Sequence, residues 1–536
     1  MIFLDLKKAI ELSIKNIIKE GLTDIFDRPF EVEVLSKNVF FQKKIIEEVL
    51  TCIKGGTVMG LGVSSIDYVL MPKNSAFNFR KCALMQPHDT IKFLAIVLQL
   101  AEVIEKARIP ISQKRIFSYR FKPNNGYLFN KNYTITSFKA EVSKRAKHKR
   151  VKLIVACDIA NYYERLNLHR LQNILLSIGC ERNIVNLINE LLLFWSNRDS
   201  YGLPVGSNAS RILSEANLIG VDNYLLSMHV DFIRFVDDYR FFAPDASTAH
   251  YWLTILINRL GQEGLSINMS KTKIEPSSRY KTDFDRQITT SKSKKSKNPF
   301  IIIAGYGGTV PTRFRTLPNS ERIKLESLDI RQALNDVNNN TLVESSEFIN
   351  IIKACIAQEK YSLLLDVLPN IRKYLQLTPY YIDAVVKFSN HFLEKEVTKI
   401  KEHFSKELKS NQFLPEYLAI SYIKLLGTKP FDDKFLLLDY FRKLRRDSGA
   451  YVGRILLDSL YELVEREDVL EIRKGFSRSD LWEKRQIVRI VNEHLEDDEK
   501  RPWIKNIRQI ESKEIFLLEV AEPTKPKKKK IRSRKK

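Results

Sequence analysis

The pattern of apolar and polar positions changes twice along the chain. From Met1 to about Arg150, helical spacing mixes with short strand-like runs. Here Asp89–Lys106 sets apolar residues at helical intervals and predicts one long buried helix. From Val151 to about Gly308, short β-rich runs alternate with helices, an α/β (α+β) pattern. From about Ser320 to Val520 the spacing is helical almost throughout. Glu347–Gln358, Tyr361–Leu375, Tyr380–Glu394, Leu414–Leu426, Lys434–Arg445 and Val452–Arg466 read as successive amphipathic helices. Pro369, Pro379, Pro415 and Pro430 punctuate them. Consecutive helices without strands predict an all-α array of helical hairpins, HEAT-like in kind although no clean period is visible.

Composition narrows the class. The chain has 536 residues, 44% hydrophobic and 10% aromatic, which allows several buried cores and excludes a mostly disordered polymer. The longest apolar stretch, Phe93–Ile104, contains Gln99 and Glu102 and is too short to span a bilayer. The N-terminal residues lack a signal-peptide apolar region, so the expected location is the cytoplasm, without a membrane partner. Five scattered cysteines without a CxxC pair argue against a disulfide framework or structural zinc and predict small buried residues in a reducing compartment.

Charge changes the picture more. The formal net charge is +24, and a soluble chain this basic points to a polyanionic partner, nucleic acid first. The excess is uneven. Gln287–Asn298 holds four Lys and no acid and predicts a mobile loop. The tail Ala521–Lys536 has nine Lys or Arg and one acid, about a third of the net charge, and reads as a disordered arm for a phosphate backbone.

Against this basic background, two acidic features stand out. Phe235-Val236-Asp237-Asp238 lies between the β-rich runs Asp231–Arg234 and Tyr239–Ala243, the pattern of a hairpin whose tip presents adjacent carboxylates. Lys152–Cys157 is a largely apolar strand ending at Asp158. If that strand lies beside the hairpin, Asp158, Asp237 and Asp238 converge. Their mutual repulsion then calls for divalent cations, and two Mg²⁺ (or Mn²⁺) ions roughly 3.5–4 Å apart serve phosphoryl transfer.

These segments together resemble the palm and fingers of prokaryotic reverse transcriptases. Asp158 with Tyr163 resembles their first palm motif and Phe235–Asp238 their Tyr-x-Asp-Asp motif. Gly202-Leu203-Pro204-Val205-Gly206 and Gly264–Asn268 with Lys271-Thr272-Lys273 resemble the two motifs around it, and Met71-Pro72-Lys73 with Arg80 the fingers hairpin. The resemblance runs from about residue 70 to 275, and its texture is nearest to the abortive-infection, antiphage-defence enzymes. It implies a right-hand polymerase with fingers to about residue 150, palm over 151–316, a helical domain over 317–520 and a basic tail over 521–536. It also implies Asp158, Asp237, Asp238 and the Ile159 carbonyl as metal ligands, dNTP substrates, DNA or RNA partners including a noncoding RNA, and a homo-oligomer. The resemblance further implies Tyr163 as the ring that rejects a ribose 2′-hydroxyl, Lys73 and Arg80 as the grip on the triphosphate, Gly202, Pro204 and Gly206 as the loop whose backbone approaches nucleotide or template, and Lys271 or Lys273, the choice left open, as donor of a proton to the leaving pyrophosphate. By the same resemblance, synthesis is template-independent or primed on a tyrosine hydroxyl. Val205 departs from the Gln that retroviral-type enzymes carry in that loop and cannot hydrogen-bond there, which argues against ordinary template copying. No nuclease-type carboxylate or histidine cluster is evident in the C-terminal half. The competing reading is an inert nucleic-acid-binding scaffold acting through the helical domain.

Overall fold

The computed structural model describes residues 5–26, 28–73, 79–280, 301–304, 313–316, 319–339, 345–410, 414–444 and 449–521. The lysine-rich run Gln287–Asn298 and residues 522–536 of the tail lie outside them. The chain forms two compact units. The first comprises Met1–Tyr68, Lys81–Gly305 and Thr309–Leu328, and the second Val69–Arg80, Tyr306–Gly308 and Asp329–Lys536.

The first unit opens with α1 (Leu6–Glu20), which buries Ala9, Ile10, Ile14 and Ile17, the face set by helical spacing. A two-stranded hairpin follows, β1 (Asp67–Pro72) and β2 (Phe79–Leu84), whose outer part groups with the second unit. The single helix expected over Asp89–Lys106 is two helices, α2 (Pro87–Leu98) and α3 (Ala101–Ala107). The Leu100 amide donates to Val97 O at 3.0 Å, three residues back instead of four, so the winding tightens over Gln99–Leu100.

The centre of this unit is an antiparallel sheet. Before it comes α4 (Ile135–Ala146), started by a reciprocal Thr134–Ser137 cap. Then follow β3 (Leu153–Asp158), α5 (Asn208–Asn217), α6 (Ile219–Ser227), β4 (Phe232–Phe235), β5 (Asp238–Ala243), α7 (Ala246–Gln262) and β6 (Lys273–Pro276). The strand order is β4-β5-β3-β6, antiparallel at every step. Alternation along the strands supplies a core on each face. Ile154, Ile233 and Phe242 pack with Phe138, Val142 and Ala146 of α4. Val155, Tyr239 and Phe241 are buried on the opposite side, where α7 packs on β5 and β3. Burying each such side chain stabilises by roughly 1.5–3 kcal/mol, enough to hold the polar ends of the strands in register.

The second unit is helical beyond Asp329 among its described residues. Alternate helices pack on one another: Glu416–Leu426 on Ala450–Leu460, that on Leu481–His494, and that on Ile515–Val520. The expected helix Tyr361–Leu375 is instead a 3₁₀ stretch over Tyr361–Leu377, with a non-helical Tyr374. Pro369 lies inside it, and its missing N–H and its ring are incompatible with α-helical winding. Four of the five cysteines are buried and all five are free, as the spacing implied. Among the described residues no helix is long and apolar enough to cross a membrane.

Candidate active site

β4 and β5 join through a two-residue turn. Phe235 pairs with Asp238, leaving Val236 and Asp237 at the tip. Val236 has φ +57°, a left-handed conformation that a β-branched residue resists. Arg234 holds it there: its Nη1 donates to the Val236 carbonyl at 2.7 Å. β3 lies beside β5 with Asp158 directly opposite Asp238, and the Ile159 amide donates to the Asp237 carbonyl at 3.1 Å. Three carboxylates therefore meet at one end of the sheet.

Their electrostatics are unbalanced. Burial, then the nearby Asp158 and Asp238 carboxylates, push Asp237 up to about 7. Burial also raises Asp238, with Arg240 opposing it and Asp158 adding to it. Two cations reach the group from the rim. Lys271 Nζ is 3.0 Å from Asp158 Oδ2, and Arg240 Nη1 is 3.4 Å from Asp238 Oδ1. The two lysines differ in position: Lys271 touches an aspartate, while Lys273 stands on β6 opposite Ala156. Both line a cleft of about 400 Å³.

Asn268 and Arg240 complete the surroundings, and sequence reasoning assigns neither of them a role. The Asn268 amide donates to Asp158 O at 2.7 Å and its Nδ2 lies 3.5 Å from Oδ2. Arg240 follows Asp238 by two residues on a strand, so period-two alternation already puts both on one face.

Behind the turn lies a second charged group, fully buried. Arg234 donates to Asp222 through Nε at 3.0 Å and Nη2 at 2.6 Å, and to Glu215 at 3.0 Å. Arg108 meets the same Glu215 oxygen at 2.6 Å and also caps the Ser118 and Tyr119 carbonyls. The Tyr239 hydroxyl donates to Asp222 at 3.0 Å. Burial alone would raise Glu215, but Arg108 and Arg234 hold its carboxyl below the usual range.

Half-buried Tyr163 accepts from the Ser214 hydroxyl of α5 at 3.2 Å, and burial lifts its phenol well above the ordinary value. The loop Gly202–Gly206 is tied to this region: the Leu203 amide donates to Tyr163 O at 2.8 Å, and Ala83 N donates to Val205 O at 3.0 Å. Gly202 and Gly206 have φ +99° and +117°, and a Cβ at Gly206 would come 3.3 Å from the Asp24 amide, so both positions need glycine. Pro204 is buried between them. Lys73 and Arg80, both half-buried, belong to the hairpin residues of the second unit.

Among the described residues, no three His, Cys, Asp or Glu side chains form a ready-made metal cage. The donors still fit Mg²⁺, which takes hard oxygens from one or two carboxylates and completes its shell with water and substrate phosphates. The crowded Asp237, raised to about 7, is the observation that asks for such a cation.

Residues 71–284 match the family model described as reverse transcriptase (RNA-dependent DNA polymerase). The match indicates RNA-directed DNA polymerase activity, a nucleotidyl transfer, for this segment, and a domain of this kind generally uses divalent metal ions. It takes in the catalytic hairpin, the end of β1 with all of β2, all three aspartates, Tyr163, Lys271 and Lys273. Among solved structures, telomerase from Candida albicans in complex with a TWJ fragment of telomeric RNA is similar at 13% identity and a TM-score of 0.29, covering 73% of this chain and 66% of that one. Apo telomerase from Candida tropicalis is similar at 13% and 0.30, covering 76% and 67%. The chain thus spans about two thirds of their length. Comparison with curated proteins gives no match.

Proposed function

We propose that the protein is an antiphage-defence reverse transcriptase that adds dNTPs to a growing strand at the Asp158–Asp237–Asp238 centre. The observation that carries this reading is the register that sets Asp158 opposite Asp238 with Asp237 at the adjoining turn. When bound there, Mg²⁺ supplies a lowered pKa for the attacking hydroxyl and charge stabilisation at phosphorus. Asp158, Asp237 and Asp238, with the Ile159 carbonyl, would hold it.

The chain's own residues do the rest. Asn268 orients Asp158, and Arg234 fixes the turn that presents Asp237. Lys271 is the group placed to give a proton to the departing pyrophosphate, being beside the acids and 57% exposed. The Tyr163 ring, pinned to Ser214, stands as the barrier to a 2′-hydroxyl. Lys73 and Arg80 grip the triphosphate. Val205 offers the nucleotide no side-chain hydrogen bond, which supports template-independent synthesis over faithful copying; priming on a tyrosine hydroxyl belongs to the same reading. The stacking of alternate helices in the second unit supports a HEAT-like array there, a surface suited to self-assembly.

Sequencing the nucleic acid that co-purifies with wild type and with Asp237→Ala tests this. DNA of low complexity, present only with wild type and partitioning with protein until protease is added, is expected. DNA with free ends copied from an RNA would overturn the priming and template parts. Equal DNA with both proteins would overturn the reading as a whole.

A further inference from the structure

The surface cations of the first unit are concentrated. Between Lys139 and Lys152 the sequence holds seven Lys or Arg, His148 and one acid, Glu141. Arg145 is used internally: it is paired with Glu141 and Asp231, both at 2.9 Å, and its guanidinium lies over the Phe242 ring. Lys139, Lys144, Lys147, Lys149, Arg150 and Lys152 are exposed. Arg150 reaches Asp231 at 3.3 Å but stays 78% exposed, so that pair neutralises little.

The cluster borders a concave site. Phe138 and Val142 of α4 point into the core against the sheet. The helix's outer flank, through Ala140 and Lys144, forms one wall of a cleft of about 620 Å³. Lys114 and Tyr133 stand on the other wall, and Lys147 completes it. Among the described residues, neither the Lys114 nor the Lys144 side chain has an ion-pair partner. Tyr133 is held in place: its ring packs against Phe117 at 5.5 Å between centroids, and its hydroxyl donates to the Ile111 carbonyl at 3.2 Å. A fixed aromatic beside the Lys114 and Lys144 ammonium groups is the arrangement that binds single-stranded nucleic acid. The cations take backbone phosphates, and the ring offers a stacking surface to any base.

We propose that this cleft is a second nucleic-acid site, separate from the catalytic end of the sheet, that anchors a single strand through Lys114, Lys144, Lys147 and Tyr133. Phe138 packs against Phe235 of the catalytic hairpin, so α4 stands between the two sites. The anchored strand is a remote part of a template, product or bound RNA, and the chemistry shared by all three is a flexible phosphodiester chain with an unstacked base.

The test uses the full-length protein without metal or dNTP. Fluorescence anisotropy measures binding of labelled oligo(dT) and oligo(U), each about 20 nucleotides long, between about 50 and 300 mM NaCl. The combined Lys114→Gln, Lys144→Gln, Lys147→Gln variant should lower the slope of log affinity against log salt by about 2, since each single-strand phosphate contact contributes roughly 0.7. Tyr133→Leu should weaken binding about tenfold with an unchanged slope, an effect charge alone would not give. Lys395→Gln, Lys399→Gln, Lys406→Gln on the helix Glu394–Ser410 removes the same charge elsewhere and should leave the slope as it is. Equal losses for both oligomers support a site blind to the sugar, and a greater loss for oligo(U) supports one that reads the 2′-hydroxyl. If the two lysine triples behave alike, the cleft is an ordinary solvated surface and the proposal fails. Because the glutamine variants alter only side chains at the surface, that outcome does not depend on how Tyr133→Leu folds.

Discussion

Two groups of charges lie within a few residues of each other, and they are built on opposite principles. Behind the catalytic turn, Arg234, Glu215, Asp222 and Arg108 are at most 5% exposed, and every acid there has a cation. In front of it, Asp158 and Asp238 are 12% and 37% exposed, and their cations approach singly from the solvent side. Both groups contain carboxylates and Arg or Lys, so residue type does not separate them. What separates them is the balance. The rear group sets two arginines against two acids, so its charges balance within the folded chain even though burial still raises Asp222, and it fixes geometry. The front group is left with too much negative charge, which is a reason to bind a cation from outside.

The largest difference is expected on the front group. Asp237→Ala should cut dNTP incorporation by about 10³-fold or more, because a metal ligand supplies several kcal/mol of transition-state stabilisation. The same variant should melt no lower than wild type, since it removes a repelling charge. A large drop in melting temperature would place Asp237 with the structural group instead.

Arg234→Met should do the reverse. It leaves Asp222 and Glu215 buried with one cation fewer, at a cost of about 3–5 kcal/mol in chemical denaturation. Incorporation by the surviving folded fraction should fall with it, because the Val236 carbonyl loses its donor. Unchanged stability would show that the rear group is not what holds the hairpin.

Lys271 and Lys273 offer a finer contrast. Lys271→Ala should slow incorporation by about 10²-fold and flatten the basic limb of the pH–rate profile, as loss of a general acid does. Lys273→Ala should change it by less than about tenfold. A reversed order would mean that the contact with Asp158 is only an ion pair.

The smallest effect is a pH dependence. Asp237 is raised from the ordinary carboxylate value to about 7, so the metal-free folded state binds a proton the unfolded chain has already lost. Stability from this group is therefore present below about pH 4 and declines as pH rises to about 7. Asp237→Asn should flatten the decline in thermal melts, and Mg²⁺ should oppose it in wild type only. A wild-type profile that rises over this range would contradict the assigned imbalance.

The front group is legible in the sequence and the rear group is not, and the reason is range. Apolar runs ending in Asp158 and flanking Asp237 are local signals, and strand pairing needs only that those runs lie side by side. The motif order then makes a polymerase palm the natural reading. Arg234 looks like one residue of a hydrophobic strand, because its partners Glu215 and Asp222 come from two helices, and the Arg108 that shares Glu215 with it comes from the residue after a third. The decision between Lys271 and Lys273 requires the short 3₁₀ turn Met269–Lys271, which spacing alone does not show. The break between α2 and α3 carries no Gly or Pro and leaves no mark on the periodicity. The 3₁₀ winding around Pro369 does leave one, in the proline itself, though amphipathic spacing conceals it.

Catalysis by the three aspartates is tested most directly by incorporation of labelled dNTP into acid-insoluble product. The purified full-length wild type and Asp237→Ala are compared side by side with Mg²⁺ or Mn²⁺. The expected result is product with wild type, none with the variant, and none with wild type once the metal is chelated. Product formed equally by both proteins, or by neither across metals, primers and RNAs, would contradict the assignment.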